Sequence, residues 1–153
     1  MGRSLTGFPD GTQATVVTYS SQTRIRYPMG PITGLGARAI GGQRDYYGEI
    51  GIDLADGVTH AITELAKVED ARRVLIVVGD GSDTNPDAAT RQLRQLAKRA
   101  AELQIEVHAI VYKASLSAQD TVVTVLDPNV TTVGTADGIT SELVALFERL
   151  RKH

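Results

Sequence analysis

The sequence predicts an α/β fold with a mostly parallel sheet and helices on both of its faces. From residue 54 onward, segments with helical periodicity alternate with short β-rich segments in the order α-β-α-β-α-β-α, which is typical of parallel α/β sheets. The segment at 73–79 also contains a continuous apolar run, as expected for a parallel strand that is covered on both faces.

The N-terminal part predicts an antiparallel hairpin. Residues 14–20 (ATVVTYS) are β-branched and aromatic, which favours a strand. Residues 22–28 (QTRIRYP) alternate and end at Pro28, so they predict a short second strand, and an edge position suits its arginines. Residues 29–51 contain seven glycines and predict a long loop, and loops of this length are usually functional.

The remaining elements follow from periodicity and caps. The helix after residue 53 has its apolar residues on one face, and Asn85-Pro86 is a helix start with Asn as N-cap and Pro at the first helical position. The later predicted elements are a strand at 105–112, a short helix within 116–128, a strand at 130–134 and a closing amphipathic helix through Ile139 and Leu150.

Composition limits the classes of function. The length suits one domain spanning 1–153. With 16 basic and 18 acidic residues, a net charge of −2 and no Lys/Arg block, a nucleic-acid partner is not expected. The absence of cysteine excludes disulfides, thiolate metal sites and a cysteine nucleophile. No apolar run reaches the ~20 residues of a membrane span and no targeting signal is recognised, so we expect a soluble protein of unassigned compartment.

A polar cluster follows the apolar strand, in the stretch GDGSDT, and has three interpretations. Asp, Gly and Ser could simply form a turn and cap the next helix. Alternatively, Asp80, Ser82, Asp83 and Thr84, joined by Asp53, could offer oxygen ligands to Mg²⁺. A phosphoryl-transfer nucleophile is the third interpretation, but the spacing of three between Asp80 and Asp83 differs from the spacing of two in haloacid-dehalogenase-like phosphatases.

The helix opening in GIDLADG and the apolar strand that ends in GDGSDT resemble segments of the von Willebrand factor A-type domain, and the resemblance extends over residues 10–150. The family's helix-opening Gly-Thr-Asp-Leu corresponds to Gly51-Ile52-Asp53-Leu54, and its apolar strand ending in Asp-Gly corresponds to Val74–Gly81. The resemblance implies a three-layer, Rossmann-like fold with an antiparallel hairpin at the edge of the sheet, incomplete at its N-terminus.

The resemblance also implies a degenerate metal-ion-dependent adhesion site. Of the family's three metal-binding segments, only the third maps clearly, onto Asp80. Ile52 occupies the threonine position and cannot ligate a cation, and the Asp-x-Ser-x-Ser segment is missing, since only 13 residues precede Ala14. We therefore expect no certain cofactor and at most weak Mg²⁺ binding at Asp80.

The function implied by the resemblance is protein binding of the adhesion type, without catalysis. We predict that the partner contacts the glycine-rich loop and the strand-end loops, through Asp53, Asp80, Ser82, Asp83, Tyr46 and Tyr47. One alternative is a small Mg²⁺-dependent hydrolase or phosphatase that uses Asp80 and Asp83. Another is that the chain is a fragment of a larger A-type protein whose first strand and metal motif lie upstream.

The resemblance finally predicts a mode of assembly. In the A-type fold the first strand lies between the strands that correspond to 14–20 and 73–79. Without it, the backbone N–H and C=O groups along the edges of these two strands lack hydrogen-bond partners. The chain could pair 14–20 directly with 73–79, or insert its own residues 1–10, although Gly2, Gly7 and Pro9 make a poor strand. We instead expect a protein partner or a homo-oligomer that exchanges or adds a strand.

Overall fold

The computed structural model describes residues 7–34, 51–112, 122–126 and 128–152. The predicted alternation of helices and strands after residue 54 is confirmed. The described residues also include 3-10 helices at Ile32–Gly34 and Val122–Leu126, the second inside the short helix predicted at 116–128. The strands and α-helices of these ranges are β1 Gln13–Tyr19, β2 Thr23–Pro31, α1 Leu54–Ala66, β3 Arg73–Gly79, α2 Pro86–Glu102, β4 Ile105–Tyr112, β5 Asn129–Val133 and α3 Ala136–Arg151.

The parallel sheet has the strand order β3-β4-β5 and lies between two layers of helices. β3 and β4 are in continuous parallel register from Arg73 opposite Ile105 to Gly79 opposite Val111. Alternate residues of β3 and β4 point to one face, where they join the apolar faces of α1 and α2 in one core cluster. Helix α3 packs on β4 and β5 and buries Leu146. The α/β fold class predicted from the sequence is therefore confirmed.

The N-terminal hairpin pairs β1 with β2 in antiparallel register. The predicted end of the second strand at Pro28 is wrong, because β2 continues to Pro31 and the first residues of the predicted 29–51 loop belong to it. The register shifts between Ala14 and Val16, opposite Gly30 and Tyr27. Pro28 therefore lies in a β-bulge of an edge strand, where its missing N–H interrupts no ladder bond.

The two sheets are not joined by strand pairing within the described residues. β1 and β3 make almost no direct contact, whereas α1 packs against both of them. Val17 and Tyr19 of β1 lie against the same core cluster as Leu75 and Val77 of β3. One helical layer therefore connects the hairpin to the parallel sheet.

Candidate functional site

The two acidic stretches noted in the sequence meet at the carboxyl end of β3. The backbone N–H of Thr84 donates to the carbonyl of Ile52 at 2.8 Å, and the N–H of Ile52 donates to Thr84 Oγ1 at 2.5 Å. The end of β1 joins them, since the N–H of Asp53 donates to the carbonyl of Ser20 at 2.7 Å. Three separate segments of the chain thus form one strand-end platform, as ligand-binding edges of α/β sheets do.

Asp83 connects this platform to helix α1 through hydrogen bonds. Its Oδ2 accepts hydrogen bonds from the backbone N–H groups of Leu54 at 2.8 Å and Ala55 at 3.3 Å, and its Oδ1 accepts from the N–H of Asn85 at 2.8 Å. The first N–H groups of a helix have no partner within the helix, and the helix dipole favours a negative charge there. Asp83 is therefore a capping residue supplied by a different loop.

Asp53 caps the same helix locally. Its Oδ1 accepts from the N–H of Asp56 at 2.9 Å, which is the usual N-cap geometry. Asn85 caps α2 in the same way by accepting from the N–H of Ala88 at 3.4 Å, with Pro86 at the start of the helix. The turn-and-cap interpretation of the polar cluster accounts for these contacts, and the helix start predicted at Asn85-Pro86 is confirmed.

Asp80 is exposed and turns back onto its own loop. Its Oδ1 accepts from the backbone N–H of Ser82 at 2.9 Å and from the Ser82 hydroxyl at 2.8 Å. Gly81 between them has a φ of 75°, a left-handed conformation that glycine adopts without strain. Asp80 and Ser82 therefore form a compact Asx-type turn at the surface of the platform.

The residues of the platform do not fit the magnesium site of the A-type family. Ile52 carries no ligand atom, and both carboxylate oxygens of Asp83 already accept hydrogen bonds from backbone N–H groups. Within the described ranges, no group of three or more histidine, aspartate or glutamate side chains lies close enough to hold a metal ion. A Mg²⁺ ion needs several oxygen ligands in near-octahedral geometry, which this set does not offer.

Tyr19 is a site residue that sequence reasoning missed. Its hydroxyl donates to the carbonyl of Val78 at 3.3 Å, and its side chain lies so close to Gly57 and Gly79 that a Cβ at either glycine would clash with it. Burial, followed by the charge of Asp80, raises the pKa of Tyr19 from 10.0 to about 12. The signal in the sequence was the pair of glycines, one inside a helix and one ending a strand, where a large side chain must approach.

A shallow cavity of 340 Å³ opens on the platform between the first turns of α1 and α2. Its lining includes Ser21, Ile52, Asp53, Thr84 and Gln92. The predicted contact residues Asp53 and Asp83 line it, whereas Asp80 and Ser82 lie outside it. Tyr46 and Tyr47, also predicted as contacts, lie outside the described residues.

A second polar cluster lies on the sheet face that α3 covers. Arg72 donates through Nη2 and Nε to Glu106 Oε2, at 2.6 and 3.2 Å, and through Nη1 to the carbonyl of Leu150 at 3.3 Å. His108 Nε2 lies 2.6 Å from Glu106 Oε1. Burial alone would raise the pKa of Glu106, but the hydrogen bonds and charges of Arg72 and His108 lower it overall. This cluster ties β4 to the end of α3.

Comparison with protein families gives one match that covers most of the chain. The family described as von Willebrand factor type A domain matches residues 1–145. Comparison with individually curated proteins gives no match. None of the helices in the described ranges has the length and apolar composition needed to cross a membrane.

Proposed function

The chain belongs to the von Willebrand factor type A domain family, and we propose that it binds a protein partner through its strand-end platform without a bridging metal ion. Domains of this family generally act as protein-interaction modules. The proposed contact surface consists of exposed or half-exposed groups around the shallow cavity and the adjoining turn, namely Ser21, Asp53, Asp80, Ser82 and Thr84.

The observation that carries this proposal is that Asp83 and Thr84 lock the loop after β3 to the residues that open α1. Their hydrogen bonds to Ile52, Leu54 and Ala55 hold the platform in one conformation. A preorganised surface loses less conformational entropy on binding, which favours affinity. Asp83 therefore stabilises the conformation of the surface, while the exposed Asp80 and the half-exposed Ser82 remain available to a partner.

We propose binding without a metal ion because the platform offers too few ligand atoms to hold one. In an A-type domain with a complete site, a partner carboxylate can complete the coordination of the metal. Ile52 and the occupied oxygens of Asp83 support a different mode here, with direct polar contacts from the platform to the partner. Any Mg²⁺ bound at Asp80 is proposed to bind weakly.

The hydrolase alternative gains no support from this geometry. It requires Asp80 and Asp83 to act together on a metal or a phosphoryl group. Asp83 is committed to three backbone N–H groups, and Asp80 Oδ1 accepts from Ser82. Releasing Asp83 for chemistry would leave the first turn of α1 without its cap.

The proposal is tested by capturing partners from an extract of the source cells on the immobilised chain. Ser21→Arg places a bulky charge at the cavity rim, and Ala71→Arg adds the same charge at the exposed turn before β3, at the opposite edge of the sheet. We expect native protein and Ala71→Arg to retain the same partner in EDTA, and Ser21→Arg to lose it. Elution of the partner by EDTA, or its equal retention by Ser21→Arg, would contradict the proposal.

A further inference from the structure

Helix α2 has a row of three exposed cations on its outer side. The side that packs into the core contains Ala89 and Leu93. Since an α-helix turns by about 100° per residue, Arg91, Arg94 and Lys98 lie on the opposite side, where all three are exposed. They span about 10 Å along the helix axis, at about 1.5 Å per residue. We call these three residues the α2 ridge.

The cations of the α2 ridge have no carboxylate partner within the described residues. Lys67, Arg72 and Arg99, by contrast, each form a salt bridge with a glutamate. Asp87 and Glu102 lie four positions from the two ends of the ridge, the usual spacing of a helical ion pair, but in the described ranges neither pairs with it. The helix dipole does not account for the ridge either, because it favours cations only near the last turn.

Three exposed carboxylates lie at and beside the platform. Asp53 and Asp80 belong to the platform, and Asp87 lies in the first turn of α2. Among the described residues none of the three forms a salt bridge. Asp53 and Asp80 each accept hydrogen bonds from neighbouring residues through Oδ1. Oδ2 of each accepts none in the part of the chain that the structure describes. We call these three residues the acidic rim.

The acidic rim and the α2 ridge adjoin on one molecule. Asp87 and Arg91 are separated by about one helical turn, or about 6 Å along the axis of α2. The two patches have opposite charge and equal numbers of charged groups, and they form no salt bridge with each other. A two-fold rotation that places the rim of one copy on the ridge of another also places the second rim on the first ridge. This surface is therefore complementary in charge to a second copy of itself.

We propose that the α2 ridge of one copy binds the acidic rim of a second copy, so that two copies pair reciprocally through these patches. The inference rests on the proposed function in one respect, namely that the platform is a binding surface, and it names a second copy of the chain as a partner. That copy contributes the cations that the carboxylates of the platform lack. Exposed ion pairs are individually weak and are screened by salt, so the pairing depends on several of them and is strongest at low ionic strength.

Sedimentation of the full chain at two salt concentrations tests the pairing. We expect a dimer in about 20 mM NaCl, and a dissociation constant at least about tenfold higher in about 0.5 M NaCl, where exposed charges interact only over a few ångströms. A native chain that remains monomeric at low salt overturns the inference. A dimer that salt does not weaken also overturns it, because its contacts would not be ion pairs.

Charge reversal on each patch locates the contact. The ridge-reversed variant has Arg94→Glu and Lys98→Glu, and the rim-reversed variant has Asp80→Lys and Asp87→Lys. All four positions are exposed, and neither variant changes the two residues that cap α1. We expect each variant alone to be monomeric, because like charges would face each other. An equimolar mixture of the two variants should form the dimer again, because the mixture restores opposite charges at both contacts.

The matched control has Arg149→Glu and Lys152→Glu, the same change of charge at exposed positions near the end of α3. This variant should form the dimer as the native chain does. Loss of the dimer in this control, or failure of the mixed variants to associate, overturns the inference. The salt series on the native chain decides the matter if a reversed variant does not fold.

Failure of this inference and failure of the platform proposal give different results. A monomeric native chain that still captures a partner, which Ser21→Arg loses, contradicts the pairing and leaves the platform proposal intact. Association of the mixed variants, together with equal capture of the extract partner by Ser21→Arg and the native chain, contradicts only the platform proposal.

Discussion

Asp53 and Asp83 cap the same helix from different parts of the chain. Asp53 precedes α1 and satisfies one backbone N–H, that of Asp56. Asp83 comes from the loop after β3 and satisfies the N–H groups of Leu54 and Ala55 while also holding its own loop through Asn85. A local cap stabilises one helix, whereas a cap from another loop also fixes the relative position of two segments.

We predict that Asp83→Ala lowers the free energy of unfolding by about 2–3 kcal/mol, because hydrogen bonds to a charged group are lost and the helix N-terminus is left uncapped. Asp53→Ala should cost only about 1 kcal/mol, as for an ordinary N-cap. Urea unfolding of both variants measures the difference. Equal losses would show that the cross-loop bonds of Asp83 add nothing to a simple cap.

Tyr19 makes stability sensitive to alkaline pH. Its pKa is raised from 10.0 to about 12 in the folded chain, so the folded state binds the hydroxyl proton more tightly than the unfolded state. Its contribution is fully present below pH 10 and is lost as the pH rises towards 12. We predict that Tyr19→Phe removes this part of the alkaline loss of stability, measured by urea unfolding across that range.

Tyr27→Phe is the matched control for this measurement. It removes a hydroxyl that donates to the carbonyl of Pro31 at 2.8 Å within the hairpin. This variant should lose stability over the same alkaline range as the native chain. If Tyr19→Phe also behaves like the native chain, Tyr19 is not the group that titrates.

At the scale of elements, a charged cluster connects β4 to α3. Glu106 on β4 accepts a hydrogen bond from Arg72, and Arg72 also donates to the carbonyl of Leu150 near the end of α3. The lowered pKa of Glu106 means that its stabilising contribution is present above its ordinary value of 4.5 and is lost as the pH falls through the lower, folded-state value.

We predict that Glu106→Gln lowers stability near neutral pH by at most about 1 kcal/mol, because the carboxylate is partly exposed and its ion pair is screened. The variant should then lose less stability than the native chain on acidification below about pH 4.5. Glu102→Gln, which removes the exposed partner of Arg99, is the control and should follow the native acid profile. An unchanged acid profile in Glu106→Gln would contradict the role of this cluster.

The sequence predicted most elements because their signals are local. The apolar run of β3 and the Asn85-Pro86 helix start depend on neighbouring residues alone, and both lie where they were expected. β2 was predicted too short because a β-bulge, which depends on pairing with β1, lets the strand pass Pro28. Element boundaries that depend on a partner strand are not encoded in the strand itself.

The position of the candidate site, at the carboxyl end of the sheet, could be predicted from the sequence, but the contacts within it could not. The order of strands and helices was enough to bring Asp53 and Asp83 to one edge of the sheet. The role of Asp83 as a cap for α1 spans 29 positions in the sequence, and the contact of Tyr19 with Val78 spans 59. Such long-range pairs follow from the packed fold, and residue types alone do not specify them.

At the scale of the whole molecule, α1 connects the platform to both sheets. The helix starts at the platform, under the caps from Asp53 and Asp83, and then packs beneath both β1 and β3. We propose that the strand-end platform, held in this way, binds its partner without a metal ion.

Calorimetric titration of the full chain with Mg²⁺ and Mn²⁺ tests that claim most directly. We predict no saturable heat at micromolar concentration, because the side chain of Ile52 offers no ligand atom and Asp83 is committed to capping α1. Ile52→Thr alone should not create binding either, since one hydroxyl does not complete the ligand set. Tight, saturable binding by the native chain that disappears in Asp80→Ala would contradict the account.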